Sequence, residues 1–105
     1  MSSLAVITEA IAAADDLVMV DCWADWCGPC RLLSPIVDEV AAEVDGLTVL
    51  KVDIDAEPGF ARRHDVMAVP TLLFFHHGQL VHRLVGARPK RALLTEIDAL
   101  RVAVA

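Results

Sequence analysis

The feature that most restricts the fold of this chain is a nearly unbroken apolar run, Leu17-Val-Met-Val-Asp-Cys-Trp23, set just ahead of a long stretch of helical period. A short continuous run lacks the alternation of a half-solvated strand, so it reads as a central strand buried on both faces. A second helix is expected from about Cys27. Leu33, Ile36, Val37, Val40 and Val44 form its core-facing stripe, and Gly46 is placed to end it. Pro35 removes one backbone hydrogen bond from that helix, so a kink is expected there. Residues 47–54 (Leu-Thr-Val-Leu-Lys-Val-Asp-Ile) read as a second strand. Strand, long helix and strand make a right-handed parallel βαβ unit.

The remaining segments alternate in the same way and point to a mixed α/β layer fold. Leu4, Ile7 and Ile11 recur at spacings of three and four, which predicts an amphipathic helix over 3–14. Ser3 stands at its expected N-cap, and Asp15-Asp16 closes it. A short helix near 58–65 leads to Val69-Pro70. Residues 71–76 and 79–85 flank His77-Gly78 and read as an antiparallel hairpin turning on Gly78. After Gly86, Pro89 suits the first turn of a last helix, whose stripe is Leu93, Ile97 and Leu100. The expected sheet order is 47–54, 17–23, 71–76 and 79–85, with the last two strands antiparallel to the first two.

With no repeat, low-complexity segment or linker, residues 1–105 read as one domain. Hydrophobic residues make up 56% of the chain, ample for one core, and the 23% charged fraction argues against disorder. The net charge of −6 disfavours nucleic acid and anionic membrane surfaces, which select for Lys and Arg. No stretch reaches the roughly 18 apolar residues that span a bilayer. Met1-Ser2-Ser3-Leu4 lacks the basic region and apolar run of a secretory signal. Three cysteines cannot all pair within one chain. Without an export signal, a Cys-x-x-Cys is more often catalytic or metal-binding than a staple, which places the chain in a reducing cytoplasm.

That pair lies in Trp26-Cys-Gly-Pro-Cys30. A thiolate, not a thiol, attacks a disulfide. Cys27 follows a strand and sits where a helix starts, where unpaired amides and the helix dipole favour negative charge on its sulfur. Cys30 is close enough for ring closure, but its sulfur is held within the first turn. Cys27 is therefore expected to be the exposed nucleophile and Cys30 the resolving thiol. The alternatives are inert core thiols or half of a zinc site. Zinc would need a further ligand pair, for which His76-His77 is the one candidate, and as neighbours near a hairpin end they should point to opposite faces.

Asp21 interrupts the apolar strand six residues before Cys27. Burial should raise its pKa and let it accept a proton, unless it lies at a frayed strand end in contact with water. Lys51 on the adjacent strand either offsets its charge or faces solvent. Cys22 should face the opposite side of the strand as a small buried hydrophobe. Trp26, beside the nucleophile, is expected to cover it from water.

Taken together these residues resemble the thioredoxin family over roughly residues 3 to 102. The most specific part is Val20-Asp-Cys-Trp-Ala-Asp-Trp-Cys-Gly-Pro-Cys-Arg31. Pro35, Lys51-Val-Asp-Ile-Asp55, Val69-Pro70-Thr71, Gly78 and Val85-Gly86-Ala87 follow in the family's order. The resemblance implies a three-layer α/β/α fold around a mixed sheet and reduction of protein disulfides by dithiol exchange. It implies that Pro70 is a cis-proline packed against the active-site disulfide, although trans is the default for any X-Pro bond. It implies that Val69 offers backbone hydrogen bonds to an extended substrate. Trp26, Gly28, Pro29, Val69, Pro70, Gly86 and Ala87 would form an apolar surface for protein partners. Asp21 would take the proton from Cys30, with Lys51 nearby. Thioredoxin reductase, drawing on NADPH, would be the electron donor, and the chain itself would bind no cofactor.

Two departures stand out. Cys22 takes the place of a Phe common in the family. Counting back from Trp23 lands residues 3–14 on the family's first helix, leaving almost nothing for its first strand, so four strands are expected. The alternative is a strand over Leu4–Ile7 with a shortened helix. Four strands would leave 47–54 as an open edge, and hence either a monomer or a weak homodimer joined there. Rival functions are a disulfide oxidase or isomerase on the same fold, or a non-catalytic binding module. Gly28-Pro29 resembles reductants, whereas a histidine there is common among oxidising relatives.

Overall fold

A computed structural model describes residues 3–105 of the chain. In chain order its elements are α1 (Ser3–Ala13), β1 (Val18–Trp23), α2 (Gly28–Glu43), β2 (Thr48–Asp53), α3 (Pro58–Arg63), β3 (Thr71–His76), β4 (Gln79–Val85) and α4 (Lys90–Val104). The four strands lie in the order β2-β1-β3-β4. β1 pairs in parallel with β2, and Asp21 stands opposite Lys51. β1 pairs antiparallel with β3, and β3 with β4. Because the hairpin reverses the chain, β4 runs in the same direction as β1 and β2, and only β3 opposes them. This corrects the expectation that both hairpin strands oppose the first two.

β1 is buried on both faces, and its alternation sorts residues between two cores. Leu17 and Met19 pack with Leu33, Val37 and Val40 of α2 and with Leu93 and Ile97 of α4. Val18, Val20 and Cys22 pack on the other side with Ile11 of α1, Phe60 of α3 and Val66. Helices thus cover both faces of the sheet, the three-layer arrangement expected. Asp21 and Cys22, adjacent on the strand, face opposite layers.

Residues 3–13 are helical, so the alternative strand over Leu4–Ile7 does not form, and the sheet has four strands among the described residues. Ser3 is the first residue of that helix, which puts the cap position outside the described residues. α2 passes through Pro35 and ends at Glu43, three residues ahead of Gly46. Gly46 instead bends the following loop at φ +79°, with the Asp16 side chain and Arg101 against it. Pro89 is the N-cap of α4, one residue outside the helix.

The hairpin turns on His77 (φ 50°) and Gly78 (φ 79°). Left-handed φ at both central residues is what a tight two-residue hairpin requires. The same twist brings the His77 ring back against His76, with centroids 4.0 Å apart. The two imidazoles therefore do not point to opposite faces, because His77 has left the strand conformation. Among the described residues no three His, Cys, Asp or Glu side chains gather as a metal site. No helix among them is long and apolar enough to cross a membrane.

Candidate active site

β1 delivers the chain to the start of α2 through residues 24–27, a turn closed by the Cys27 amide donating to the Ala24 carbonyl at 3.1 Å. Cys27 is the N-cap of α2, with extended backbone, and Pro29 lies in the first turn, where a missing N–H costs no helical bond. A cap side chain normally offers an oxygen to a free amide of the first turn. Here the acceptor is sulfur: Cys27 Sγ takes the Cys30 N–H at 3.2 Å. Cys27 and Cys30 are joined as a disulfide, with Cα atoms 5.3 Å apart.

Neither sulfur is open to water. Cys27 is 3% exposed and Cys30 4%, so exposure does not set the expected nucleophile apart in the disulfide form. Ala24, Trp23, Ile54 and Val69 pack around the pair and close it over. What distinguishes the two residues is the amide that Cys27 receives. Trp26, expected to cover the nucleophile, is itself largely open to solvent. It is 68% exposed, and its indole N–H donates to Asp55 Oδ2 at 2.9 Å, which ties the ring to the segment after β2.

The other expected contact residues gather at the same end of the sheet. Gly28 and Pro29 are exposed at the start of α2. The Val69–Pro70 bond is cis. Val69 packs on the cysteine cluster, and the Pro70 carbonyl accepts the Gly86 N–H at 2.9 Å, which brings the Gly86-Ala87 loop alongside. Thr71 Oγ1 donates to the Ala68 carbonyl at 2.6 Å and fixes the approach to Pro70. Met67, nearby in sequence and 92% exposed, was not singled out from the sequence. An apolar side chain in a loop gives no periodic signal.

Asp21 is buried rather than at a frayed end, and its Oδ1 has no hydrogen-bond partner. Burial pushes its carboxyl up to about 6; Lys51 opposes that push and Asp38 adds to it. Lys51 neither pairs directly with Asp21 nor faces solvent freely. Its Nζ donates to Ser34 Oγ at 2.7 Å and meets Asp38 Oδ1 at 2.7 Å. Ser34 and Asp38 were also missed from the sequence, although their spacing of four on α2 marks them as neighbours. A cleft of about 340 Å³, with Cys30, Arg31, Ser34 and Lys51 in its walls, opens on the Cys30 side of the pair. On the opposite face of β1, burial, aided by the Asp21 charge, pushes the Cys22 thiol up to about 12.

A disulfide capping a helix, with a cis Val69–Pro70 bond packed nearby and a buried acid on the preceding strand, invites comparison with known proteins. A family model described as Thioredoxin matches residues 4–99. The chain belongs to the thioredoxin family. It is 46% identical over 98 residues to the thioredoxin of Mycobacterium tuberculosis, covering 88% of this chain and 84% of that one. It is 44% identical over 98 residues to the bifunctional thioredoxin reductase/thioredoxin of Mycobacterium leprae, covering 88% of this chain and 21% of that one. Among solved structures, mitochondrial thioredoxin 3 of Saccharomyces cerevisiae in its oxidised form superposes with a TM-score of 0.84. That chain shares 29% identity, with coverage of 91% of this chain and 89% of its own. This thioredoxin-family chain is accordingly a thiol–disulfide oxidoreductase that reduces protein disulfides, and its redox-active group is the cysteine pair itself.

Proposed function

We propose that Cys27 is the attacking thiol, Cys30 the resolving thiol and Asp21 the acceptor of the Cys30 proton. The observation that carries this assignment is the Cys30 amide on Cys27 Sγ. A hydrogen bond to the charged form of a thiol, at the positive end of a helix, favours the thiolate. In the first step the Cys27 thiolate bonds to one sulfur of a substrate disulfide, and the other sulfur leaves as a thiolate. Asp21 then takes the proton of Cys30, whose sulfur attacks Cys27 Sγ. The second substrate thiolate is released and the Cys27–Cys30 disulfide forms. Two electrons pass to the substrate; its two thiolates take up protons from water, and Asp21 returns the Cys30 proton to water.

Trp26, Gly28, Pro29, Val69, Pro70, Gly86 and Ala87 serve as the docking surface for an extended substrate segment, with backbone groups of Val69 available to it. Lys51 acts on Asp21 through its charge. The electron donor is a thioredoxin reductase using NADPH, a pairing supported by a relative in which both units share one chain. A reducing cytoplasm is the compartment in which that cycle runs. For assembly, the open β2 edge allows a monomer or a weak homodimer, and a concentration-independent mass in sedimentation velocity would establish the monomer.

The test is a pair of variants assayed on a protein disulfide with reductase and NADPH. Cys27→Ser should abolish turnover. Cys30→Ser should accumulate a covalent mixed disulfide with substrate, visible by non-reducing mass analysis. Normal turnover by Cys30→Ser would remove the resolving role from that residue.

A further inference from the structure

Lys51 carries a positive charge beside a buried carboxylate, yet its ammonium is committed elsewhere. In a parallel ladder, residues in register project to the same face, so Lys51 and Asp21 both project toward the α2 layer. From α2, Ser34 and Asp38 lie one turn apart on the same side of the helix. The Lys51 Nζ is held by both, at 2.7 Å each, while Asp21 Oδ1 has no partner at all. A lysine has a flexible four-carbon stem and three donors. Released from α2, its ammonium would find the unpartnered carboxylate on the neighbouring strand.

We propose that Ser34 and Asp38 are positioning residues that hold the Lys51 ammonium against α2, keeping Asp21 unpaired and able to accept the Cys30 proton. The proposal rests on the role given to Asp21 above. An ion pair with Lys51 would keep Asp21 ionised and satisfied, which makes it a weaker base. The charges acting on Asp21 are Lys51 from β2 and Asp38 from α2. Its β3 ladder partner Leu72, and Leu93 and Ile97 of α4 on that face, carry none. The α4 lysine on this side, Lys90, is bound to Glu43 at 2.6 Å and approaches Glu39 at 3.9 Å.

Ser34 is uncharged, and this allows a clean separation of causes. Removing its hydroxyl deletes no charge, so a shift of the Asp21 titration must come from where Lys51 goes. The experiment follows the Asp21 carboxyl by carbon NMR across pH in the oxidised full chain. In parallel it records the pH profile of protein-disulfide reduction. Ser34→Ala should lower the Asp21 midpoint by about 0.5 pH unit or more, and Asp38→Asn by a larger step, since it removes a charge as well as a ligand. Lys51→Met should raise the midpoint, and adding Ser34→Ala to Lys51→Met should change nothing further. An unmoved midpoint in Ser34→Ala, or the same shift with Lys51 absent, overturns the proposal. Asp21→Asn separates the underlying role: if its pH profile matches the parent, Asp21 is not the acceptor, while the NMR shifts still report whether Ser34 positions Lys51.

Discussion

Cys22 and Cys27 lie five positions apart, and both are almost wholly buried, yet their surroundings act on them in opposite ways. Within β1 the backbone is consumed by the ladders: Cys22 is flanked by Val52 on β2 and Thr71 on β3. No free amide is left for a side chain, and the flanking layer is apolar. Groups there are driven toward their neutral forms, the Cys22 thiol up to about 12 and the Asp21 carboxyl up to about 6. At the start of α2 the first amides have no helical partner, and one of them donates to Cys27 Sγ. Burial alone does not decide what a thiol can do. The supply of unpaired backbone donors does.

The contrast should be sharpest in alkylation of the reduced, native chain at neutral pH. Iodoacetamide should label Cys27 first. Cys22 should react about 10³-fold more slowly or worse, because it is both protonated and enclosed. Peptide mass mapping before and after denaturation measures this directly, and fast native labelling of Cys22 would break the contrast. Turnover should follow suit, with Cys22→Ala staying within about twofold of the parent, because the proposed exchange runs through Cys27 and Cys30 alone.

Asp21 provides the next largest effect. Its folded pKa is raised, so the native state holds its proton more tightly than the unfolded chain does. Stability contributed by the protonated form is full at low pH and is lost as pH rises through about 4 to 6. Asp21→Asn should therefore be more stable than the parent above pH 6 by about 3 kcal/mol, with the gain vanishing below about pH 4. Denaturant unfolding at several pH values measures it. An equal gain at both extremes would mean that ionisation in the core is not the source.

The smallest effect belongs to Cys22→Ala, which deletes one buried sulfur from the α1 and α3 side of the sheet. The cost should be about 1 kcal/mol, read as a lower midpoint in urea with an unchanged slope. A much larger cost would show that this small thiol packs more tightly than its setting suggests.

The parts of the molecule legible in the sequence are those where one physical signal dominates. The apolar run at β1, the stripe on α2 and the His77-Gly78 turn fix the βαβ unit and the hairpin. The cysteine pair and the buried acid follow from position along those elements. Strand count came from the spacing back from Trp23, and the sheet bears it out among the described residues. What escaped depends on distances between elements. Trp26 reads as a lid from its place beside Cys27, but the bond from its indole to Asp55, 29 residues on, gives no local signal. The direction of β4 follows from the hairpin, which reverses the chain once and so returns β4 to the direction of β1. Ser34 and Asp38 look like ordinary surface residues of α2 until the register sets Lys51 beside Asp21 and the fold sets α2 above both.

The two tryptophans, unequal in their surroundings, give the molecule two separate optical reporters. Trp23 packs against the cluster that holds the cysteine pair, so its emission should rise or fall with the oxidation state of the sulfurs nearby. Trp26 stands out in solvent on a single hydrogen bond, so a dissolved quencher or a docked partner should address it instead. A chain carrying Phe at position 26 would follow electron flow alone, and one carrying Phe at 23 would follow encounter alone.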